Sequence, residues 1–305
     1  MKQKKDKLIV LGATGNLSFA VANVLMGIKK YSPGLNVDFI IFHNDISEKD
    51  QNLLNSIISC KFIDYEMPIN TNGVEQSSFP RYSKLAFSRY ECFRMLDEYK
   101  KVLWIDVDIL VQNDISGIFD YAKTGISLLQ EIAPLQECFS IPLENYDMQG
   151  SHYNSGVLLL NDNLAEYDKM ADWLYSKTYE FADYLKYADQ GVINLLIQEF
   201  KLEVDKLPEK YNCHPCKKEV KNASIVHSYS PQKFWSWYEK MYHFKEWDKN
   251  YKEWIKMGGS PYTGIKYDFW EKIVKNHIDF DCPHPIRRPK KFIKFILKKG
   301  KKDAV

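Results

Sequence analysis

The sequence predicts an α/β sandwich, with helices packed on a sheet whose strands are mainly parallel. Short apolar, β-branched runs alternate with amphipathic helical stretches over most of the chain. The first three elements are Leu8–Leu11, Phe19–Lys30 and Val37–Phe42, and this strand, helix and strand order places consecutive strands in parallel. Five of the seven tryptophans follow residue 230, so we expect the sandwich to end near that position.

Length and composition are those of a globular protein with a substantial core. The chain has 305 residues, of which 45% are apolar and 27% charged, which suits one large domain or a domain of about 230 residues with an appendage. The net charge of +2 is small, but Arg287–Lys302 holds nine basic residues and no acidic one. Six cysteines without a framework spacing favour a reducing compartment. The apolar run after the N-terminal lysines is too short for a signal peptide, and no stretch approaches the length of a spanning helix.

The elements of the sandwich follow from apolar periodicity and from turn residues. Gly12–Asn16 is a predicted turn, and the helix after it has its apolar residues on one face. Ser47 is a suitable helix N-cap, with Asp50 at the third helical position. The remaining predicted elements are the helices Ser47–Ile58, Ser83–Tyr99, Ala165–Leu185 and Ala188–Phe200 and the strands Lys101–Val111, Ile126–Leu129 and Val157–Leu160.

Two carboxylates lie inside the apolar run Lys101–Val111, at Asp106 and Asp108. The side chains of a strand alternate between faces, so both carboxylates would point the same way. Carboxylates this close repel each other unless a cation lies between them, and a hard divalent ion, Mg²⁺ or Mn²⁺, suits oxygen ligands. The alternative is an aspartate pair at a strand end that faces water and opens a turn.

Other motifs favour other chemistry when each is taken alone. Gly12-x-x-Gly15 after a strand is typical of dinucleotide-binding folds, but Ser18 stands at the third glycine position, and the Tyr-x-x-x-Lys pairs near the C-terminus contain proline or glycine. Asp-x-Asp also occurs in haloacid-dehalogenase-type phosphatases, which place it near the chain start. Cys213-His-Pro-Cys216 could bind zinc or act as a redox pair, yet no second ligand pair stands at a familiar spacing.

Three further stretches, taken together with Asp106 and Asp108, indicate a protein family. They are Tyr153–Leu160, Ala188–Gly191 and His227–Trp235. In this order, the set resembles retaining glycosyltransferase family 8, the group of glycogenin and the bacterial lipooligosaccharide galactosyltransferases, over about residues 7–236. The resemblance implies a GT-A fold, which is a Rossmann-like mixed sheet flanked by helices, here with an aromatic and basic C-terminal appendage.

The resemblance also implies a role for each matching residue. Asp106, Asp108 and His227 would hold Mn²⁺ or Mg²⁺ against the diphosphate of a UDP-sugar, where a cation stabilises charge on the departing UDP. Asp189 and Gln190 would be the catalytic residues. Glutamine is a poor covalent nucleophile, so we expect retention by same-face attack, with Asp189 as the alternative nucleophile. The residues implied in donor binding are Gly12, Ala13, Thr14, Asn16, Arg89, Asp106, Val107, Asp108, Asn154, Asp189, Gln190, His227, Ser230 and Lys233.

Two positions depart from the family pattern. Thr14 stands where members commonly carry an aspartate that contacts uracil, so the contact to the base is expected to differ. Ser230 replaces a glycine of the histidine motif and puts a side chain where a backbone amide approaches phosphate. These departures keep open a second hypothesis, a membrane-associated sugar-nucleotide-binding protein that has lost transfer activity. An NAD(P)-binding oxidoreductase is a further alternative.

The predicted organisation has three parts: a GT-A catalytic domain over 1–236, an aromatic-rich helical appendage over 237–286 and a basic amphipathic tail over 287–305. In the tail, lysines and apolar residues fall on different helical faces, the pattern of an interfacial membrane helix, with a solvated tail or a calmodulin-like or nucleic-acid ligand as alternatives. The expected partners are a UDP-sugar, a glycan or lipid-linked saccharide acceptor and an anionic membrane surface, with no nucleic acid. The expected location is the cytoplasm, at the inner face of the cytoplasmic membrane.

Overall fold

A sheet of seven strands in mixed directions forms the centre of the described protein. The structure, a computed structural model, describes residues 3–68, 83–229, 233–235 and 244–264. The strands of this sheet are β1 (Lys5–Thr14), β2 (Asp38–Asn44), β3 (Lys61–Asp64), β4 (Tyr99–Ile105), β6 (Ile126–Pro134), β7 (Ser151–Asn161) and β8 (Val204–Lys206), and a separate pair is β5 (Ile109–Val111) and β9 (Ile225–His227). The α-helices are α1 (Ser18–Tyr31), α2 (Glu48–Ile57), α3 (Glu91–Met95), α4 (Tyr167–Glu180), α5 (Ala188–Glu199) and α6 (Lys245–Lys256).

The order of the strands decides which chain segments meet. That order is β3-β2-β1-β4-β7-β6-β8. Strand β1 is parallel to β2 and β4, whereas β7 is antiparallel to both β4 and β6. The predicted α/β class and mixed sheet are therefore confirmed. Because β7 runs against β4, the middle of β7 lies beside the carboxyl end of β4, where Ile105 is opposite Val157, and the first residues of β7 extend beyond that end.

Both faces of the sheet are covered, which explains why its strands read as continuous apolar runs. In β1, Ile9 and Leu11 pack in the core that includes α1, whereas Leu8 and Val10 pack in the core that includes α4 and α5. All four side chains are fully buried. Consecutive residues of a strand point to opposite faces, so each of them serves one of the two cores.

Two predicted elements are wrong in extent. Lys101–Val111 is not one strand, because β4 ends at Ile105 and the separate strand β5 begins after the aspartate pair. The physical reason is charge, since carboxylates do not lie stably in a buried ladder without partners. Ser83–Tyr99 is not one helix, because a 3₁₀ helix over Lys84–Tyr90 and the short α3 end before β4 begins.

The other predicted helices and strands are confirmed, with ends that shift by several residues. Helix α1 spans Ser18–Tyr31, and Ser47 caps α2 by accepting a hydrogen bond from the Asp50 N–H at 3.2 Å. The predicted turn Gly12–Asn16 begins too early, because β1 continues to Thr14. Strands β3, β8 and β9 have three or four residues each and are too short to show a periodicity of their own.

The described part of the aromatic-rich segment packs on α1. Trp247 and Trp254 of α6 are almost fully buried, and Phe19 of α1 makes edge-on contacts with the rings of Trp247 and Tyr251. Asn23 in α1 donates from Nδ2 to the Trp247 carbonyl at 3.1 Å. Residues 244–264 therefore extend a core of the first predicted domain. The boundaries at 236 and 286 stay predictions, and the predicted tail 287–305 lies outside the described residues.

The sequence predicts no segment long enough to span a membrane. Within the described ranges, no helix combines the length and the apolar character needed to cross a bilayer.

Candidate active site

A cavity of about 740 Å³ opens at the carboxyl ends of β1 and β4. In sheets of this kind, ligands bind where parallel strands end. Asn16 is exposed and does not line the cavity, and Ser230 lies outside the described residues. The other residues predicted to contact a donor all line it, and they are Gly12, Ala13, Thr14, Arg89, Asp106, Val107, Asp108, Asn154, Asp189, Gln190, His227 and Lys233.

Asp106, Asp108 and His227 converge in the wall of this cavity. Asp106 follows β4, Asp108 precedes β5, and His227 ends β9, which pairs with β5. One potential ligand atom from each of the three lies within 4.8 Å of the others. The imidazole Nε2 is 3.1 Å from Asp108 Oδ1 and 3.7 Å from Asp106 Oδ2. The interruption between β4 and β5 therefore brings the aspartate pair to a histidine more than a hundred residues away in sequence.

The three side chains fit a hard divalent cation. Among the described residues, the buried Nε2 of His227 has no hydrogen-bond partner. The other ring nitrogen, Nδ1, lies 2.8 Å from Asn212 Oδ1. A buried lone pair that faces two carboxylates is unfavourable unless a positive charge binds all three groups. Two carboxylates and one imidazole suit Mn²⁺ or Mg²⁺, so these residues could hold either ion.

Lys233 balances part of the negative charge. Its Nζ contacts Asp108 Oδ2 and donates to the Ser228 carbonyl at 2.8 Å. Burial favours the neutral carboxyl, but the positive charge of Lys233 acts in the opposite direction, and the pKa of Asp108 is held well below its usual range. Asp108 therefore stays ionised and able to act as a ligand at neutral pH.

Arg89 joins Asp106 to Asp189. Its Nη2 lies 2.9 Å from Asp106 Oδ1, and its Nε lies 3.0 Å from Asp189 Oδ2. Nη1 donates to the carbonyl and hydroxyl oxygens of Ser155 at 2.7 and 2.8 Å. The residue is buried, at 5% exposure. The guanidinium is therefore engaged mainly with carboxylates of the protein, although the resemblance implies a contact with the donor.

The first turn of α5 carries both predicted catalytic residues. Asp189 is almost fully buried, and its Oδ2 accepts a hydrogen bond from Ser155 Oγ at 2.8 Å. Burial raises the pKa of Asp189 to about 6, although Arg89 acts in the opposite direction. Gln190 lines the cavity, and its Oε1 accepts from the Ser155 N–H at 3.3 Å. Ala188 has a φ of 41°, in the left-handed region that is costly for a residue with a Cβ and recurs at functional sites.

Close packing accounts for the two glycines of the first strand-to-helix turn. A Cβ at Gly12 would lie 2.6 Å from the Trp104 ring, and a Cβ at Gly15 would lie 2.0 Å from the Asp45 carbonyl oxygen. Both glycines are therefore required by neighbouring protein atoms, without any need for a dinucleotide. The Thr14 hydroxyl donates to Asn16 Oδ1 at 2.5 Å, so the residue at the family's aspartate position is already bonded to a neighbour.

Three residues of the site escape the motif analysis. Trp104 donates from Nε1 to Asp106 Oδ1 at 2.7 Å, and its spacing of two residues from Asp106 on a strand is a signal that could have indicated it. Ser155 contacts Asp189 and Arg89, and it lies in the stretch Tyr153–Leu160, where the motif analysis gave it no role. Asn212 belongs to no motif, and only the fold places it beside His227.

Cys213 and Cys216 form no zinc site within the described residues. In that part of the chain, the group Asp106, Asp108 and His227 is the sole set of three or more His, Cys, Asp or Glu ligand atoms close enough for one metal ion. Both cysteines are buried. Burial raises the pKa of the Cys213 thiol to about 11, which disfavours a reactive thiolate.

The architecture is that of the GT-A glycosyltransferases. A crystal structure of the galactosyltransferase LgtC in complex with donor and acceptor sugar analogues matches with a TM-score of 0.63 at 15% identity, over 82% of this chain and 99% of that chain. The apo structure of the bifunctional glycosyltransferase WbbM matches with a TM-score of 0.60 at 14% identity, over 85% of this chain and 52% of that chain. At these identities, the likeness concerns the fold alone.

The family follows from the sequence comparison. A sequence model of glycosyl transferase family 8 matches residues 8–238, and the chain belongs to this family. The resemblance drawn from the motifs is therefore confirmed. The oxidoreductase and phosphatase alternatives are wrong, because Gly12-x-x-Gly15 and Asp-x-Asp both lie within the matched residues.

Two curated relatives share part of the chain. Lipopolysaccharide 1,2-glucosyltransferase of Escherichia coli strain K12 is 26% identical over 147 residues, which are 47% of this chain and 43% of that protein. Glycosyltransferase GlyE of Streptococcus pneumoniae serotype 4 is 26% identical over 162 residues, which are 53% of this chain and 35% of that protein. The matched segments thus span less than half the length of these relatives.

The Asp189 carboxyl should make stability depend on pH between about 4 and 6. Its pKa is raised to about 6 in the folded protein, so the folded state binds this proton more tightly than the unfolded chain does. The free energy of unfolding contributed by this group is then full at low pH and is lost as pH rises through that window. In Asp189→Asn, which resembles the protonated acid in shape, this contribution is absent.

Urea unfolding of both proteins at about pH 4, 5 and 6 tests this expectation. As pH rises from about 4 to 6, the unfolding free energy of the wild type should fall relative to that of Asp189→Asn, by up to about 1.4 kcal/mol per pH unit. A difference that stays constant over these pH values would contradict the burial of an ionisable Asp189.

Proposed function

We propose that the protein transfers a hexose, glucose or galactose, from a UDP-sugar to a glycan or lipid-linked saccharide, with retention of configuration and with Mn²⁺ or Mg²⁺. The observation that carries the proposal is the convergence of Asp106, Asp108 and His227 in the cavity wall. Membership of glycosyl transferase family 8 supports the reaction class. A glucosyltransferase among the curated relatives and a galactosyltransferase among the structures of the same fold support a hexose as the transferred group.

The cluster supports departure of a diphosphate. A divalent ion bound by these ligands would stabilise the negative charge that grows on the leaving diphosphate. Asp106 is oriented for this task because Arg89 and Trp104 both bind its Oδ1, at 2.9 and 2.7 Å, which leaves Oδ2 on the side of His227. Lys233, which contacts Asp108, adds a positive charge beside the same point.

Same-face attack is the route to retention that the surroundings of Asp189 favour. Oδ2 of Asp189 is paired with Arg89 at 3.0 Å and accepts from Ser155 at 2.8 Å, so this oxygen is occupied by protein groups. Gln190 offers an amide, which is a weak nucleophile. The acceptor hydroxyl would form its bond to the anomeric carbon on the face where the bond to diphosphate breaks, and its proton would pass to the diphosphate. Asn154 and Asp189 would orient hydroxyls of the sugar.

A second candidate is a protein that binds a sugar nucleotide without transferring the sugar. Thr14 motivates it, because its hydroxyl is bonded to Asn16 where family members commonly carry an aspartate for uracil. Calorimetry with UDP and Mn²⁺, together with an assay of UDP release, separates the two candidates. Tight UDP binding without donor hydrolysis or transfer to any glycan would favour the second one.

The variant Asp108→Asn tests the proposed reaction. The amide keeps the size of the side chain but removes a charged ligand of the proposed metal site, so metal-dependent UDP release from UDP-glucose or UDP-galactose should fall by roughly 100-fold or more. Asp120→Asn, at an exposed position of a 3₁₀ helix, is the matched control and should keep the wild-type rate. Circular dichroism of both variants checks the fold. Turnover of Asp108→Asn at the wild-type rate would reject the assignment of the cluster.

The proposal extends to a cytoplasmic enzyme at an anionic membrane surface. The nine basic residues of Arg287–Lys302 support this location. Removal of residues 287–305 should weaken co-sedimentation with vesicles that contain anionic lipid, and the loss should be larger at low salt, where lysine charges are less screened. Vesicles of neutral lipid are the control. Equal binding of the full chain and the shortened chain to anionic vesicles would contradict the role of the tail.

A further inference from the structure

We infer that Asn212 is a positioning residue, which holds the imidazole of His227 with its proton on Nδ1 and so directs the lone pair of Nε2 toward Asp106 and Asp108. The inference deepens the proposed function and rests on it, since the cation site belongs to that function. Asn212 is fully buried, and its side-chain amide bridges His227 on one side and Asn154 on the other.

The direction of these hydrogen bonds is set by a backbone group. The Gly156 N–H donates to a side-chain oxygen of Asn154 at 3.0 Å. A backbone N–H can only donate, so the Asn154 atom that it meets must be the carbonyl oxygen Oδ1. The same oxygen lies 2.9 Å from Asn212, which must therefore present its NH₂ group there.

The direction then passes to the histidine. With its NH₂ group on Asn154, Asn212 presents its carbonyl oxygen to His227 at 2.8 Å from Nδ1. A carbonyl oxygen can only accept, so Nδ1 carries the proton. In the neutral ring, Nε2 is then the acceptor and faces Asp106 and Asp108, 3.7 and 3.1 Å away. This is the tautomer that can bind a cation through Nε2.

The same chain of bonds also orients Asn154. Its Oδ1 accepts from both Asn212 and the Gly156 N–H, so its Nδ2 is turned to the other side, 3.3 Å from Glu131 Oε1 and in the wall of the cavity. One buried amide thus sets a lone pair at the cation site and an N–H donor at the proposed sugar site.

The amide of Asn212 is not needed to hold its own segment in place. The neighbouring Cys213 is bonded to β9 through its backbone, which accepts from the His227 N–H at 2.9 Å and donates to the Ile225 carbonyl at 3.0 Å. The position of His227 is further limited by Gly156, where a Cβ would lie 2.0 Å from the imidazole Cε1. Backbone bonds and packing place the ring, and Asn212 determines which of its nitrogens carries the proton.

Nuclear magnetic resonance of the full chain with Mg²⁺, which is diamagnetic, and with ¹⁵N-labelled histidine tests the tautomer at about pH 8.5, where an ordinary imidazole is neutral. Long-range proton–nitrogen correlations distinguish a protonated ring nitrogen from an unprotonated one, and the signals missing in His227→Gln identify the residue. The wild type should carry the proton on Nδ1. In Asn212→Leu, Nδ1 loses its acceptor, so the proton should move to Nε2, which then donates to Asp108.

Binding of Mn²⁺ alone, measured by electron paramagnetic resonance without nucleotide, provides the second readout. Asn212→Leu should bind Mn²⁺ about 10- to 100-fold more weakly, the range for loss of the group that orients a ligating histidine. Asn212→Asp keeps an acceptor for Nδ1, but its second oxygen would face the Asn154 oxygen to which the amide donates. This variant should be at least as unstable to heat as Asn212→Leu, yet its affinity for Mn²⁺ should lie within about threefold of that of the wild type.

Asn23→Leu is the matched control for loss of a buried amide. Asn23 is buried, donates to the Trp247 carbonyl and accepts from Asn250, and it lies in α1 rather than in the cavity wall. This variant should lower thermal stability without changing the His227 tautomer or the affinity for Mn²⁺.

A proton on Nε2 in the wild type would overturn the inference, and so would equally weak Mn²⁺ binding by the Leu and Asp variants of Asn212. Neither readout involves a sugar donor. A wild type with the expected tautomer and Mn²⁺ affinity but without glycosyl transfer would therefore reject the proposed reaction and support the assignment of Asn212.

Discussion

The repulsion between Asp106 and Asp108 is the constraint on which the rest of the site depends. Two carboxylates that meet at the end of a buried strand are unstable unless positive charge lies close to both. The chain provides Arg89 for Asp106 and Lys233 for Asp108, and it places Nε2 of His227 3.7 and 3.1 Å from the two carboxylates. The same repulsion accounts for the end of β4 at Ile105, because the sheet does not continue through the pair.

Charge balance gives this arrangement its chemical meaning. Five carboxylates line the described cavity, at Asp106, Asp108, Glu131, Glu137 and Asp189, and they outnumber the cationic side chains Arg89 and Lys233. The protein groups alone therefore leave negative charge in excess, which would repel a diphosphate. A bound divalent cation would place positive charge beside the diphosphate, so affinity for a nucleotide diphosphate should depend on the metal. Arg89 couples the two ends of the site, since it binds one carboxylate of the cation cluster and the buried acid of α5.

Much of the fold could be predicted because residues that are close together in sequence indicate most of its helices and strands. The apolar runs of β1 and β2 and the one-sided periodicity of α1 identify a strand, helix and strand unit, and Ser47 marks the start of α2. The sequence did not show that Lys101–Val111 forms two strands, β4 and β5, in different sheets. An apolar residue such as Ile109 suits a buried strand of either sheet. A strand as short as β9, with three residues, has no periodicity of its own and is identified by its hydrogen bonds to β5.

Some residues of the candidate site could be identified from the sequence around them, whereas others are brought to the site only by the fold. Asp106, Asp108, His227, Asp189 and Gln190 stand in motifs, and their order along the chain indicates a family. Asn212 and the left-handed conformation of Ala188 depend on which segments the fold brings together, and no pattern of neighbours in sequence reports either of them.

The most direct test of the central claim is anomalous diffraction at the manganese absorption edge, from crystals of the full chain grown with Mn²⁺ and UDP. We expect one strong peak within bonding distance of Asp106, Asp108 and His227, with the diphosphate on its open side. Bound UDP without a peak between these three residues, or with the ion held by other side chains, would contradict the claim that this cluster is the cation site around which the donor binds.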